Sequence, residues 1–296
     1  MTNDVPTSRR KRRRWRRGAA VTAGGYCLFL ILVATHVTDR LILFPTTNPI
    51  DTTHLIRIET PLASGVPIEI FTARSRAAET TDPQAYILTF TGNTARAELT
   101  APFFAKDWSD YPVEVWSVNY PGYGSSPGRA RISSIAPSAL AAYEELRKHS
   151  GNSPIILEAR SIGTAAALYV AAHRPVAGLI LHNPPPLRSL LLKRYGWWNL
   201  WLVGGPLALS VPNDLDSLAN AAAVDAPAIF VIADADSVVP ASYQQLVVDA
   251  YHGPKQVIHI PDASHTARAT GPAQDQLTSA MDRLYRSATG KAKAAN

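Results

Sequence analysis

Ser161 stands in the pentapeptide Ala159-Arg160-Ser161-Ile162-Gly163, between the apolar run PIIL and the small-residue stretch TAAALYVAA. A serine hydroxyl is a weak nucleophile at neutral pH and needs a base that an acid orients. Two apolar runs downstream of it end in candidates for those roles. AIFVIA (228–233) leads into Asp234-Ala235-Asp236-Ser237-Val238-Val239-Pro240, and QVIHI (256–260) leads into Pro261-Asp262-Ala263-Ser264-His265. The order serine, acid, histidine, with the last two just past the ends of apolar runs, suits acyl transfer. Ser161 would attack a carbonyl, His265 would move the proton, and an aspartate would hold the imidazole. Asp234 and Asp262 compete with Asp236 for the acid. Among the other histidines, His182 ends its run, while His259 lies inside one and His173 closes a helical stretch.

Such a serine requires a sharp turn from a buried strand into a helix, with small residues two before and two after it. Ala159 and Gly163 satisfy the size requirement, although alanine resists a positive φ. Strands are expected over 55–58, 68–72, 86–91, 113–119, 155–158, 178–182, 228–233 and 256–260. Helices are expected over 99–108, 138–148, 164–173, 243–251 and 273–286. The last of these carries Leu277, Met281, Leu284 and Tyr285 along one stripe. Several strands are apolar throughout, as in a parallel sheet covered by helices on both faces. One α/β domain over 39–288, followed by a flexible tail at 289–296, accounts for the pattern. Segment 184–220 interrupts it, opening with three prolines and holding three of the six tryptophans, Trp197, Trp198 and Trp201. A small helical cap binding an apolar group through these rings is expected there.

Composition narrows the function further. At 46% hydrophobic and 18% charged, the chain is suited to folding rather than disorder. Its +6 charge is concentrated: residues 1–17 hold eight of the 29 basic residues and one of the 23 acidic ones. The remainder is close to neutral, so no nucleic-acid-binding face is expected. Residues 18–37, GAAVTAGGYCLFLILVATHV, contain no charge, and about 20 apolar residues span a bilayer as a helix. A basic cytoplasmic tail at 1–17 and a transmembrane signal anchor at 18–38 are expected. The positive-inside rule then puts the domain on the periplasmic or extracytoplasmic side. The single cysteine, Cys27, excludes an internal disulfide and a cysteine zinc site. No other metal or cofactor motif is present. The GYGSSPG stretch lacks the ending of a phosphate loop and reads as a tight turn.

From about residue 40 to residue 286 the chain resembles the α/β-hydrolase superfamily, and within it the serine hydrolases with an N-terminal membrane anchor and a small cap. The resemblance lies in LILFP (41–45), NYPGYGSSPG (119–128), ARSIGT (159–164) and DSVVP (236–240). It implies the triad Ser161, Asp236 and His265, since the family's acid lies four residues before that proline. It also implies an oxyanion hole from the backbone N–H groups of Ile162 and Asn93. The family's oxyanion loop usually reads His-Gly, where this chain has Thr91-Gly92. Ala159, Ala233 and Ser264 stand where glycines are usual. The implied activity is hydrolysis of a carboxylic ester or thioester, of a lipid or fatty-acyl substrate, through an acyl-enzyme on Ser161. A membrane-tethered binding protein without catalysis and a serine peptidase are the alternatives.

Overall fold

In the computed structural model, which describes residues 7–32, 38–53, 55–199 and 202–291, eight strands form one sheet. They are β1 (Ile56–Pro61), β2 (Pro67–Arg74), β3 (Ala85–Phe90), β4 (Val113–Asn119), β5 (Ile155–Arg160), β6 (Gly178–His182), β7 (Ala228–Ala233) and β8 (Lys255–Ile260). All eight expected strands are present, with ends shifted by up to three residues. Their order is β1-β2-β4-β3-β5-β6-β7-β8. β1 and β2 run antiparallel at one edge, and the other six strands are mutually parallel. Since β3 lies between β4 and β5, chain progress reverses direction across the sheet beside β3. Open α/β sheets bind ligands at the carboxyl ends of the strands next to such a point.

Side-chain alternation explains why both faces are covered. Leu88, Phe90, Leu157 and Leu181 join a core that also holds residues of α4 (Ile132–Ser150), α5 (Gly163–His173) and α9 (Ala241–Ala250). Their neighbours Ile87, Ile156, Ile180 and Val231 point the other way, into a second core. That core is closed by Phe104 and Ala105 of α3 (Ala97–Asp107) and by the stripe Leu277, Met281, Leu284 and Tyr285 of α10 (Gly271–Thr289). A strand buried on both faces must be apolar at every position, which is how AIFVIA reads.

The N-terminal region departs from expectation in its boundaries. Helix α1 runs Thr7–Leu32, so the arginine run and the uncharged residues up to Leu32 lie in one helix. Residues 33–37 of the expected 18–38 anchor lie outside the described residues, and Thr38 belongs to α2 (Thr38–Ile42). Among the described residues, no helix is long and apolar enough to cross a membrane. The uncharged part of α1 ends its described course at Leu32, and the arginines before it lower the mean hydropathy of any longer window. Helix α2 is docked on the domain, where Asp39 Oδ1 accepts the N–H of Ile132 at 2.8 Å and caps the start of α4.

Segment 184–220 does form helices: α6 (Leu187–Gly196), α7 (Gly204–Leu209) and α8 (Ser217–Ala222). Leu187, Leu191, Ala208, Val211 and Leu215 join the core on the α5 side of the sheet. Helices α6 and α7 approach backbone to backbone at Gly196 and Gly204, where a Cβ on Gly204 would lie 2.5 Å from the Gly196 Cα.

On the opposite face, a buried polar cluster ties β5 to β6. Glu158 accepts the indole N–H of Trp108 at 2.8 Å and meets His182 Nε2 at 3.0 Å. Burial drives the His182 imidazole down to about 4, and the Arg160 guanidinium adds to the depression. The ring is therefore neutral near pH 7 and donates its Nε2–H to the carboxylate. The unfolded chain protonates this histidine near 6.5 while the folded chain resists until about 4, so stability rises with pH across that window. Denaturant-unfolding free energy is expected to fall by up to ~3 kcal/mol as pH drops through it. His182→Gln should flatten that slope, and an unchanged slope in the variant would assign it to another group.

Candidate active site

Strand β5 ends at Arg160, and Ser161 follows with φ 52°, in the left-handed region. For a residue with a side chain this conformation costs about 1–3 kcal/mol and persists only where the surroundings enforce it. Here the Ser161 N–H donates to the His182 carbonyl at 2.9 Å, and the Ser161 carbonyl accepts from Thr164 N and Oγ1 at 2.9 and 2.7 Å. Gly163 opens α5 against the end of β3, where a Cβ would lie 2.2 Å from the Phe90 carbonyl oxygen. No other residue fits there. Ala159 is fully buried in strand conformation, and the positive φ falls on Ser161, so alanine meets no backbone penalty.

The Ser161 hydroxyl lies 3.0 Å from His265 Nε2, and His265 Nδ1 lies 2.6 Å from Asp236 Oδ2. The Asp236 carboxylate is buried and has four donors. Oδ1 accepts from Val238 N at 2.8 Å and Val239 N at 2.9 Å, while Oδ2 accepts from Gln244 Nε2 at 3.2 Å as well as from His265. With its other lone pairs filled, the carboxylate has one direction left for the imidazole. Asp234 is engaged elsewhere, 2.7 Å from His259 Nδ1 at the exposed sheet edge. Asp262 takes a left-handed turn after β8. Three-dimensional position thus separates aspartates that lie two residues apart in sequence.

Two supporting residues went unseen in the sequence reading. Asn183, also left-handed at φ 51°, donates to the His265 carbonyl at 2.8 Å and accepts from Ala233 N at 3.1 Å. It links the loop after β6 to the end of β7 and the loop after β8. Gln244 of α9 donates to Asp236 and, at 2.7 Å, to the Val239 carbonyl. A polar residue directly after an apolar strand was the available signal for Asn183. Nothing local distinguishes Gln244 from Gln245.

The loop after β3 lies beside the serine, with Gly92 facing the Ser161 Cβ. Its shape is held from outside. The Asn93 carbonyl accepts from Phe44 N at 3.1 Å and Tyr123 Oη at 2.8 Å, and Asn93 Nδ2 donates to the Ile42 carbonyl at 2.8 Å. Arg96, buried, donates to Glu98 and to the Asn48 carbonyl, and Asn119 Oδ1 accepts the Ala97 N–H at 2.8 Å. Among the described residues, the backbone N–H groups of Asn93 and Ile162 have no hydrogen-bond partner.

Ser161 and His265 open into a cleft of about 410 Å³, whose apolar wall includes Ala95, Leu99, Phe103 and Phe104. The expected aromatic cap does not contribute to it. Trp197 and Trp198 are 72% and 62% exposed, and neither lines this cleft; Trp201 lies outside the described residues. The physical reason is that α6 packs on α7 and α8 on α5, which buries Leu187, Leu191, Leu207 and Leu215 and leaves Trp197 and Trp198 exposed.

No protein-family model matches the chain. An uncharacterised protein of Mycobacterium tuberculosis is 31% identical over 156 residues, 52% of this chain and 53% of that protein. The match thus spans about half the length of that relative. The human alpha/beta hydrolase domain-containing protein 17C is 33% identical over 102 residues, 33% of this chain and 31% of its own. An esterase of Pyrococcus furiosus superimposes with a TM-score of 0.60 at 12% identity, covering 82% of this chain and 97% of the esterase. Strand order, the turn at Ser161 and these likenesses agree, and the chain has the α/β-hydrolase fold.

Proposed function

We propose that the protein is a serine hydrolase that cleaves a carboxylic ester or thioester of an apolar acyl group. The observation that carries this reading is the hydrogen-bonded series from the Ser161 hydroxyl through His265 to buried Asp236. In the first step His265 Nε2 takes the hydroxyl proton as Ser161 Oγ bonds to the substrate carbonyl carbon. Asp236 holds the Nδ1–H and stabilises the imidazolium that forms. The backbone N–H groups of Ile162 and Asn93 receive the developing oxyanion, a contribution of about 3–4 kcal/mol per donor in enzymes of this kind. His265 then protonates the leaving oxygen or sulfur. A water molecule, deprotonated by the same histidine, attacks the acyl-enzyme and frees Ser161. Because both oxyanion donors are main-chain, the threonine at position 91 in place of histidine leaves the donor pair intact. The acyl chain lies along Leu99 and Phe103, which favours fatty-acyl substrates.

The arginine run and the uncharged stretch at 18–37 support attachment to a bilayer, with the basic tail cytoplasmic and the hydrolase domain across the membrane. Such attachment would keep the cleft near lipid. Alkaline carbonate extraction of membranes from expressing cells should leave the full-length protein in the pellet. Recovery in the supernatant would refute the attachment.

A fluorescent fluorophosphonate should label the wild-type protein and not Ser161→Ala. Asp236→Asn should lower ester turnover by about 10⁴-fold, because the imidazole loses its required tautomer. A folded wild-type protein that fails to label would point instead to a binding scaffold without catalysis.

A further inference from the structure

Two arginines line the serine cleft: Arg160, next to the nucleophile, and Arg268, three residues beyond His265. Both also line a narrower polar cavity of about 150 Å³, together with Asp107, Glu158 and His182. The two spaces meet at these side chains, and their charges are unequally engaged. Arg268 is ion-paired to Asp107, and its guanidinium lies 4.4 Å from the Phe103 ring centroid. The Glu158 carboxylate is occupied by Trp108 on one oxygen and His182 on the other.

Arg160 is different. Among the described residues its guanidinium makes no hydrogen bond and no close ion pair, and its Nε is buried without a partner. Glu158 and Asp107 act on it at longer range, and Phe103 lies 5.9 Å away on the cleft side. Burying a cationic donor without an acceptor is costly, and the cost falls when an anion supplies one. The planar guanidinium suits a carboxylate or a phosphate, which accepts two parallel N–H bonds. With His182 neutral, the charges opposing the guanidinium are the Glu158 and Asp107 carboxylates, and neither is hydrogen-bonded to it.

We infer that Arg160 is a specificity-determining residue that binds an anionic group, carboxylate or phosphate, carried by the ester that Ser161 attacks. The substrate is then amphiphilic, with its apolar part against Leu99 and Phe103 and its anion at Arg160. This rests on the serine-hydrolase reading above, and deepens it by naming the charge of the substrate.

The test uses the full chain and three para-nitrophenyl esters of matched length: hexanoate, hydrogen adipate and the corresponding ω-phosphonate. The neutral ester is the most apolar of the three, so preference for an anion cannot arise from apolar burial. At least one anionic ester should exceed hexanoate by about tenfold in kcat/KM, mainly through KM, and the better of the two identifies the anion. Arg160→Gln should bring the anionic-to-neutral ratio to about one, and Arg160→Lys should restore part of it. A wild-type ratio at or below one would overturn the inference without recourse to any variant. So would a wild-type ratio retained in Arg160→Gln. Fluorophosphonate labelling keeps the two failures apart. A labelled enzyme that hydrolyses hexanoate but shows no anion preference removes only the role of Arg160. A folded protein with neither label nor ester turnover removes the hydrolase reading and this inference with it.

Discussion

Holding Ser161 at a left-handed φ requires that the strand before it and the helix after it be immobilised by contacts outside the turn. The first contact is the approach of α5 to the end of β3, possible only because position 163 lacks a Cβ. The second is the hydrogen bond from the Ser161 N–H to the His182 carbonyl, which makes β6 a support for the turn at Ser161. Both depend on the order in which the strands lie. With β3 and β6 flanking β5, the turn is braced from each side, and the hydroxyl projects above the carboxyl ends of the parallel strands.

The same arrangement explains how residues far apart in sequence come into register. Ser161, Asp236 and His265 follow β5, β7 and β8, and their loops would drift independently without cross-links. Asn183 supplies one, bonding to the end of β7 and to the loop after β8 from its own place after β6. Gln244 supplies another, fixing the Asp236 loop from α9. The buried carboxylate, saturated by two backbone N–H groups and an amide, is preorganised for a single imidazole. Preorganised donors and acceptors do not reorganise as charge develops, which is the physical basis of their effect on rate.

Electrostatics beneath the site follow a different logic. Glu158, His182 and Arg160 occupy alternating positions on the face of β5 and β6 that looks toward α3 and α10, where neighbouring strand residues are apolar. Charged groups in such a place demand partners. Glu158 and His182 find each other, and Trp108 completes the carboxylate. Arg160 finds none within hydrogen-bonding distance, and it lines both the buried cavity and the cleft.

Much of this was legible in the residues themselves. Short β-rich runs marked all eight strands, and in the central ones two-sided burial leaves a local signature of continuous hydrophobicity. The small residues at 159 and 163 marked the elbow, because close backbone approach is a local steric demand. The segment between β6 and β7 was recognised as helical and apolar, yet its tryptophans were assigned to the cleft although Trp197 and Trp198 are exposed beyond the end of α6. At the N terminus, charge and hydropathy suggested a tail followed by a span; the arginine run and the uncharged residues up to Leu32 lie in one helix, and α2 docks on the domain. Residue type alone left Asp234 and Asp236 equivalent; the resemblance favoured Asp236 by its distance from Pro240, and the structure brings that carboxylate to Gln244 and His265. The roles of Asn183, Gln244 and Arg160 were invisible. Periodicity and residue type encode what each segment buries, because burial is a property of the segment. Which side chains meet across loops depends on strand order and helix docking, and only the tertiary structure decides those.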